Sequence, residues 1–326
     1  MGPEPEFQSY YGRQIIKTPT WKTPDVPIYL FLGGLAGGSS LLTEGAALVG
    51  NRRLEQVSRV VAAGGAAVGT VYLVHDLGRP ERFLNMLRVI KLTSPLSVGS
   101  FILAPFSALS SAALASQVTG RLPRLGRLAG VGAAAFGPPL AAYTAALFAN
   151  TAVPIWHEGH RELPFVFIGS GSAAAGGLAM VLTSVETSGP AYRMALAGAA
   201  VELTAAQTME NRLGMLAEPY HQGRSGTLMK AARALTVAGM AISVVGRRSR
   251  VLRAVAGAAY VAGSLTTRFG VFEAGLASAR DPKYTVIPQR ERLAARQAAE
   301  QAAEQAAGRP GEHPAGEQPA TSPAGT

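Results

Sequence analysis

The chain contains no cysteine, which removes disulfides, thiolate-held iron–sulfur clusters, cysteine zinc sites and a thiol nucleophile. Any electron chemistry therefore needs borrowed or diffusible cofactors. Charge is scarce as well. Only 15% of the residues are Asp, Glu, Lys or Arg, whereas ordinary soluble domains carry about 25%. With 48% hydrophobic residues, the chain is too apolar for a nucleic-acid binder despite a formal charge of +10. Histidine is sparse where it would matter most. A haem b in a helical bundle needs axial ligands such as two facing imidazoles inside the spans, but His75, His157, His160, His221 and His313 fall at span ends, in connectors or in the tail. A cytochrome b type of electron-transfer subunit is thereby disfavoured. His157 and His160 share one loop, but no metal site is assigned to them.

What the sequence does have is a succession of long uncharged runs separated by short Arg-rich connectors. A membrane helix needs roughly 20 mostly apolar residues, and such stretches occur at about 26–49, 57–75, 96–118, 128–153, 163–185, 194–212, 227–246 and 251–272. The pattern predicts an all-α integral membrane protein, a bundle of about eight transmembrane helices arranged as two four-helix halves. Residues 1–25 read as an extra-membrane arm, 26–287 as the transmembrane domain, and 288–326 as a polar, largely disordered tail with a short Ala/Gln/Glu helix at its start. An even number of spans places both termini on one side with connectors 76–95, 154–162 and 213–226. The other side collects Arg52, Arg53, Arg121, Arg124, Arg127, Arg193, Arg247, Arg248 and Arg250. Because Lys and Arg in short loops favour the cytoplasm, the expected location is a bacterial inner membrane with both termini outside.

Gly33 and Gly37, Gly34 and Gly38, and Gly65 and Gly69 are spaced four apart inside apolar segments, a pattern that lets helix backbones approach closely. GGLAGG lacks the Lys-Ser/Thr of a phosphate loop, so packing is its expected role. Pro105, Pro138 and Pro139 should bend their spans. Trp156 reads as an interfacial belt residue.

An ionisable side chain in the bilayer costs at least about 2.5–3.5 kcal/mol, so each needs a partner or a wet cavity. Glu44 is read as the deepest, followed by Glu202, Gln207 and Glu210 on the sixth span and Arg268 and Glu273 on the eighth. An interhelical pair such as Arg268 with a glutamate is one reading. The other is a proton path through Glu44 and Glu202.

The densest polar feature is HDLGRPERFLNMLRVIKLTSPLSVGSF. His75, Asp76 and Arg79 lie within about a turn of a span end. After them Phe83, Leu84, Leu87 and Ile90 fall on one helical face, with Arg82, Arg88 and Lys91 opposite, as in a helix lying at the membrane surface. The basic face suits lipid headgroups. Asp76 and Arg79 fit a loop ion pair, yet a carboxylate, an imidazole and a guanidinium also suit a quinone headgroup, which needs hydrogen-bond donors and proton acceptors. Tyr143 and the exit of the fourth span emerge on the same side.

DLGRP followed by TSPLSVGS, with GGLAGGSSLL, YTAALFANTAVPIW and RFGVFEAGLASARDPKYTV, resembles the NrfD, or polysulfide reductase membrane-subunit, family over about Trp21 to Gln289. The resemblance implies a haem-free, quinone-interacting membrane subunit. It would dock an iron–sulfur, ferredoxin-like electron-transfer subunit, which in turn contacts a molybdopterin-type catalytic subunit, with menaquinone or ubiquinone as exchangeable substrate. It places Asp76 and Arg79 near the quinone and Tyr143 at a quinone-contacting position, and proximity adds His75. Where the family uses polar side chains at the start of the first helix, VPIYLFLGG offers only Tyr29. In this scheme Tyr143 and His75 or Asp76 donate hydrogen bonds or exchange protons, and Arg79 holds negative charge on a quinone oxygen. A proton-coupled transporter using Glu44 and Glu202, and a purely structural anchor for a soluble redox complex, are the competing classes.

Overall fold

The computed structural model describes residues 15–79 and 81–307. His313, residues 1–14 of the expected arm and the expected disorder at 308–326 lie outside the described residues. Among the described residues there are α-helices and two 3-10 turns but no strand, so the all-α expectation holds. The helices are α1 (Asp25–Leu48), α2 (Arg52–Asp76), α3 (Glu81–Met86), α4 (Pro95–Thr119), α5 (Pro123–Ala149), α6 (Pro154–Glu158), α7 (Leu163–Leu182), α8 (Gly189–Leu213), α9 (Gly223–Val245), α10 (Arg250–Arg280) and α11 (Lys283–Ala307).

Each expected span corresponds to one long helix. Six of these, α1, α2, α4, α5, α7 and α9, are both long and apolar enough to cross a membrane. α8 and α10 are long enough but carry Glu202, Glu210 and Arg212, and Arg253, Arg268 and Glu273. The boundaries shift for local reasons. α5 begins at Pro123 rather than near 128, because proline at the first helical position has its φ preset and no N–H to satisfy. α10 runs on to Arg280, since Val271, Phe272, Ala274, Gly275, Leu276 and Ala279 continue a buried face past the expected end.

Pairing follows the two-half expectation. α1 packs on α2 and α5, and α4 on α5 and α2; α7 packs on α8 and α10, and α9 on α10. The halves meet where α1 lies against α7 and α10, and α5 against α7. The chain divides into two compact units, Met1–Tyr284 and Thr285–Thr326. The bundle belongs to the first. In the second, the Ala/Gln/Glu/Arg stretch of α11 is helical, as its high-propensity composition favours.

α1 is enclosed on nearly all sides, and the GGLAGG glycines explain how. A Cβ on Gly137 of α5 would stand 2.7 Å from the Gly37 carbonyl oxygen, and one on Gly171 of α7 would stand 2.8 Å from the Gly34 carbonyl oxygen. α1 is therefore in backbone contact with both neighbours, where lipid offers no hydrophobic drive and dispersion contact substitutes for it. Gly65 and Gly69 of α2 receive Ala36 and Leu32 of α1 in the same way.

One local expectation fails. The surface helix after the DLGRP motif stops at Met86 instead of continuing to Lys91. The Ser97 hydroxyl accepts from the Lys91 N–H (2.9 Å) and donates to the Val89 carbonyl (3.2 Å), giving the backbone a non-helical partner at a β-branched Val-Ile pair of modest helix propensity. Phe83 packs against the core, Ile90 is exposed, and the Leu84 side chain lies outside the described residues, so the expected single apolar face is not formed.

Gly137→Val should destabilise the protein by about 1–3 kcal/mol through overpacking, whereas Gly45→Val, at a site with nothing within 4 Å, should be near neutral. Thermal unfolding of the two variants in one detergent checks this, and equal losses would refute the backbone contact.

Candidate functional site

The start of α1, the end of α2, the start of α4 and the end of α5 meet at one rim. Asp25, the first residue of α1, is buried, and its Oδ2 lies 2.7 Å from Nδ1 of His75. The His75 side chain is 72% exposed while that of Asp25 is 6% exposed, so the pair joins water to a buried carboxylate. Next to it, Asp76 Oδ1 accepts the backbone N–H of Lys22 at 2.9 Å, and Lys22 Nζ reaches the His75 carbonyl oxygen at 3.4 Å. Asp76 thus ties the segment before α1 to the end of α2. The alternative ion pair with Arg79 is not formed: Arg79 is exposed and has no ion pair among the described residues.

One turn into α1, Tyr29 is buried beside Tyr143 of α5, with the two hydroxyls within electrostatic reach. The Tyr29 hydroxyl is buried with no hydrogen-bond partner of normal geometry among the described residues. Tyr143 owes its position to Gly99 of α4. A Cβ there would fall inside the tyrosine ring, so the glycine of TSPLSVGS is the cradle for the ring. The motif therefore has two structural tasks, Ser97 holding the 89–91 backbone and Gly99 seating Tyr143.

Behind the tyrosines stands an aromatic wall. Trp156 stacks on Phe148 at 4.3 Å with 4° between planes, and Trp21 lies 5.5 Å from Phe148 and 5.7 Å from Trp156. The expectation of an interfacial Trp156 is corrected: the side chain is fully buried, donates Nε1–H to the Val271 carbonyl at 2.8 Å, and occupies the space that a Cβ on Gly275 would need. Its polar atom is satisfied inside the protein, which removes the reason for a belt position. His157 and His160 direct their Nδ1 atoms to the carbonyls of Ala149 and His157.

The expected membrane acids separate. Glu44 is not the deepest group. It lies one turn from the end of α1, at the opposite rim, 3.5 Å from Arg127 and 3.8 Å from Arg59. Glu202 is the deep one. It is buried, accepts from the Thr267 hydroxyl at 2.7 Å, and leaves Oε2 without a partner among the described residues. Arg268, also fully buried, lies over the Phe167 ring at 3.8 Å and donates Nη2 to the Phe167 carbonyl at 2.8 Å. The expected direct pair is absent: among the described residues no ion pair joins Arg268 to Glu202, and each is held by a neutral partner instead. Glu210 is paired with Arg233 (2.8 Å) and His221 (3.4 Å), and Glu273 lies 3.9 Å from Arg224.

Two ion pairs brace the connectors on the rim of the tyrosines. Arg212 clasps Glu162 with both arms of its guanidinium, Nε to Oε1 at 2.7 Å, and this hydrogen bonding holds the Glu162 carboxyl below its ordinary range. Lys283 Nζ, 2.8 Å from Glu218 Oε2, lowers the Glu218 carboxyl with help from the Tyr284 hydroxyl.

Fold and site together define a multi-pass helical membrane protein with a tyrosine-lined polar corner at one rim. The family model for Polysulphide reductase, NrfD, matches residues 16–189, and the chain belongs to that family of respiratory oxidoreductase membrane subunits. No curated protein matches the chain. Every residue of the corner falls inside the matched range, whereas Glu202, Thr267 and Arg268 lie beyond it.

Sequence reasoning brought His75, Asp76, Tyr29 and Tyr143 to one corner but missed Asp25, Trp21, Lys22 and Gly99. Asp25 is the one carboxylate at the mouth of the first span, on the same side as His75, but reading 1–25 as an extra-membrane arm left it out of the site.

Two outcomes are expected. Gly99→Ala and Tyr143→Ala should be strongly coupled in a double-mutant cycle of thermal stability, because removing the ring relieves the clash; simple additivity would remove the cradle. For Glu162, a lowered folded value means that the pair stabilises above the unfolded carboxyl value of about 4.3 and is lost as pH falls through the folded value. Glu162→Gln should accordingly flatten the acid limb of a stability-versus-pH curve.

Proposed function

We propose that the protein is a haem-free membrane anchor and quinone-interacting subunit, passing electrons between a docked iron–sulfur subunit and menaquinone or ubiquinone. A molybdopterin-type subunit is the proposed source or sink of electrons. The observation that carries this reading is the buried Tyr29 hydroxyl, which has no hydrogen-bond partner of normal geometry among the described residues and lies beside Tyr143, at the rim where the Asp25–His75 pair reaches water. A buried donor without an acceptor costs about 1–3 kcal/mol, and a quinone carbonyl oxygen supplies the missing acceptor.

The quinone, as substrate, supplies two-electron, two-proton exchange. Tyr29 and Tyr143 hydrogen-bond its headgroup and fix its orientation. His75, exposed to water and 2.7 Å from the buried Asp25 carboxylate, passes protons between water and that carboxylate. Asp76 secures the Trp21–Lys22 segment across the corner, and exposed Arg79 adds positive charge at the entrance. Glu202 is proposed as a proton-holding group in the bundle, whereas Glu44, set between two arginines, ties α1 to α2 and α5. The rim bearing Arg52, Arg53, Arg121, Arg124 and Arg127 is proposed to face the cytoplasm, with both termini outside in an inner membrane.

Tyr143→Phe or Asp25→Asn should abolish quinone turnover in the intact complex while leaving assembly unchanged, measured by quinol-analogue oxidation or quinone reduction alongside co-purification of the partner subunits. Normal turnover in both variants would remove the site assignment.

A further inference from the structure

At the rim opposite the tyrosines, the α1–α2, α4–α5, α7–α8 and α9–α10 turns lie together, linked by Asn51 to the Thr187 carbonyl and by Arg250 to the Met180 carbonyl. Two adjoining cavities open there. The first, about 390 Å³, is bordered by Arg52, Glu55, Arg59, Ser116, Gln117 and Arg127. The second, about 350 Å³, is bordered by Arg53, Val57, Val60, Val61 and Leu182. They share Gln56 and Gln117, so a basic lobe continues into an apolar one.

The charge balance is uneven. Glu55 and Glu44 occupy Arg59, and Glu44 also faces Arg127. Arg52 and Arg53 have no ion pair among the described residues, and exposed Arg121 and Arg124 stand on the neighbouring α4–α5 turn. Within the basic lobe, Arg59 is about nine-tenths buried and its Nε has no hydrogen-bond partner among the described residues. Beside the lobes, Val60 (51%), Leu122 (68%) and Leu125 (58%) are exposed apolar side chains, as expected where a membrane protein meets acyl chains.

We propose that these two lobes form a seat for one anionic phospholipid. Its phosphate lies in the basic lobe against Arg52, with the Arg59 guanidinium, held by Gln117 and Glu55, forming the buried back of that lobe, and an acyl chain follows Val57, Val60 and Val61 towards Leu182. A phospholipid is the occupant because the second lobe is apolar: a soluble phosphate would use the first lobe and leave the second empty. An anionic one is favoured because the surplus is arginine, and each basic side chain near a membrane surface strengthens binding of acidic lipid about five-fold. The α9–α10 turn carries arginines too, but Arg253 is already engaged by the Ser188 hydroxyl and the Tyr192 ring.

The test uses the full chain in nanodiscs of equal parts phosphatidylglycerol and phosphatidylcholine, with retained lipid read by native mass spectrometry. Phosphatidylglycerol should be retained preferentially. Arg52→Gln should lower that preference about five-fold and Arg52→Gln/Arg53→Gln further. Val60→Trp, which fills the apolar lobe and leaves the arginines intact, should lower retention of the lipid. Arg248→Gln, on the α9–α10 turn, should change nothing. Equal retention of both lipids, an equal loss in Arg248→Gln, or thermal stabilisation by inorganic phosphate matching that by phosphatidylglycerol would overturn the proposal.

Discussion

The contact on which the rest depends is the backbone-to-backbone packing of α1 against α5 and α7, at Gly37 with Gly137 and Gly34 with Gly171. Within a bilayer, apolar side chains gain nothing by leaving lipid for protein, so two helices hold together through close dispersion contact and the few polar groups they can share. Removing side chains at the crossing points lets α1 occupy the junction of the two halves. Everything α1 carries is thereby placed between neighbours: Asp25 and Tyr29 at one rim, Glu44 at the other.

Polarity is sorted along the bundle by what each group can find as a partner. At the rim of the tyrosines, His75 meets water and covers a buried carboxylate. At the opposite rim, arginines exceed the glutamates that answer them. Between the two, Arg268 is kept by a carbonyl and a ring face, and Glu202 by a threonine hydroxyl, rather than by each other. These neutral contacts join α10 to α8 through Thr267 and Glu202, and α10 to α7 through Arg268 and the Phe167 carbonyl. Nearby glycines have the same logic in reverse, since Gly99 and Gly275 provide room for Tyr143 and Trp156, side chains whose own polar atoms need a defined place.

The number of long helices, their order and the sharing of one rim by His75, Asp76 and Tyr143 were legible in the sequence, because a span of apolar residues long enough to cross a bilayer is a one-dimensional property and alternation of direction follows from counting. The close-packing role of GGLAGG was equally readable from its spacing. Other features were decided only by the tertiary structure. Asp25 and His75 are 50 positions apart and Lys22 and Asp76 are 54 apart, and such meetings depend on the rotation of each helix about its axis. Hydrophobic runs that are apolar on every face do not encode that rotation. The same missing quantity misled the reading of Trp156, whose indole could face lipid or the Val271 carbonyl; Glu44, by contrast, stands four residues before the end of α1, a position near a rim that the expected span already contained. Side-chain pattern determined which segments cross the membrane, and inter-helix geometry decided which polar atoms find one another there.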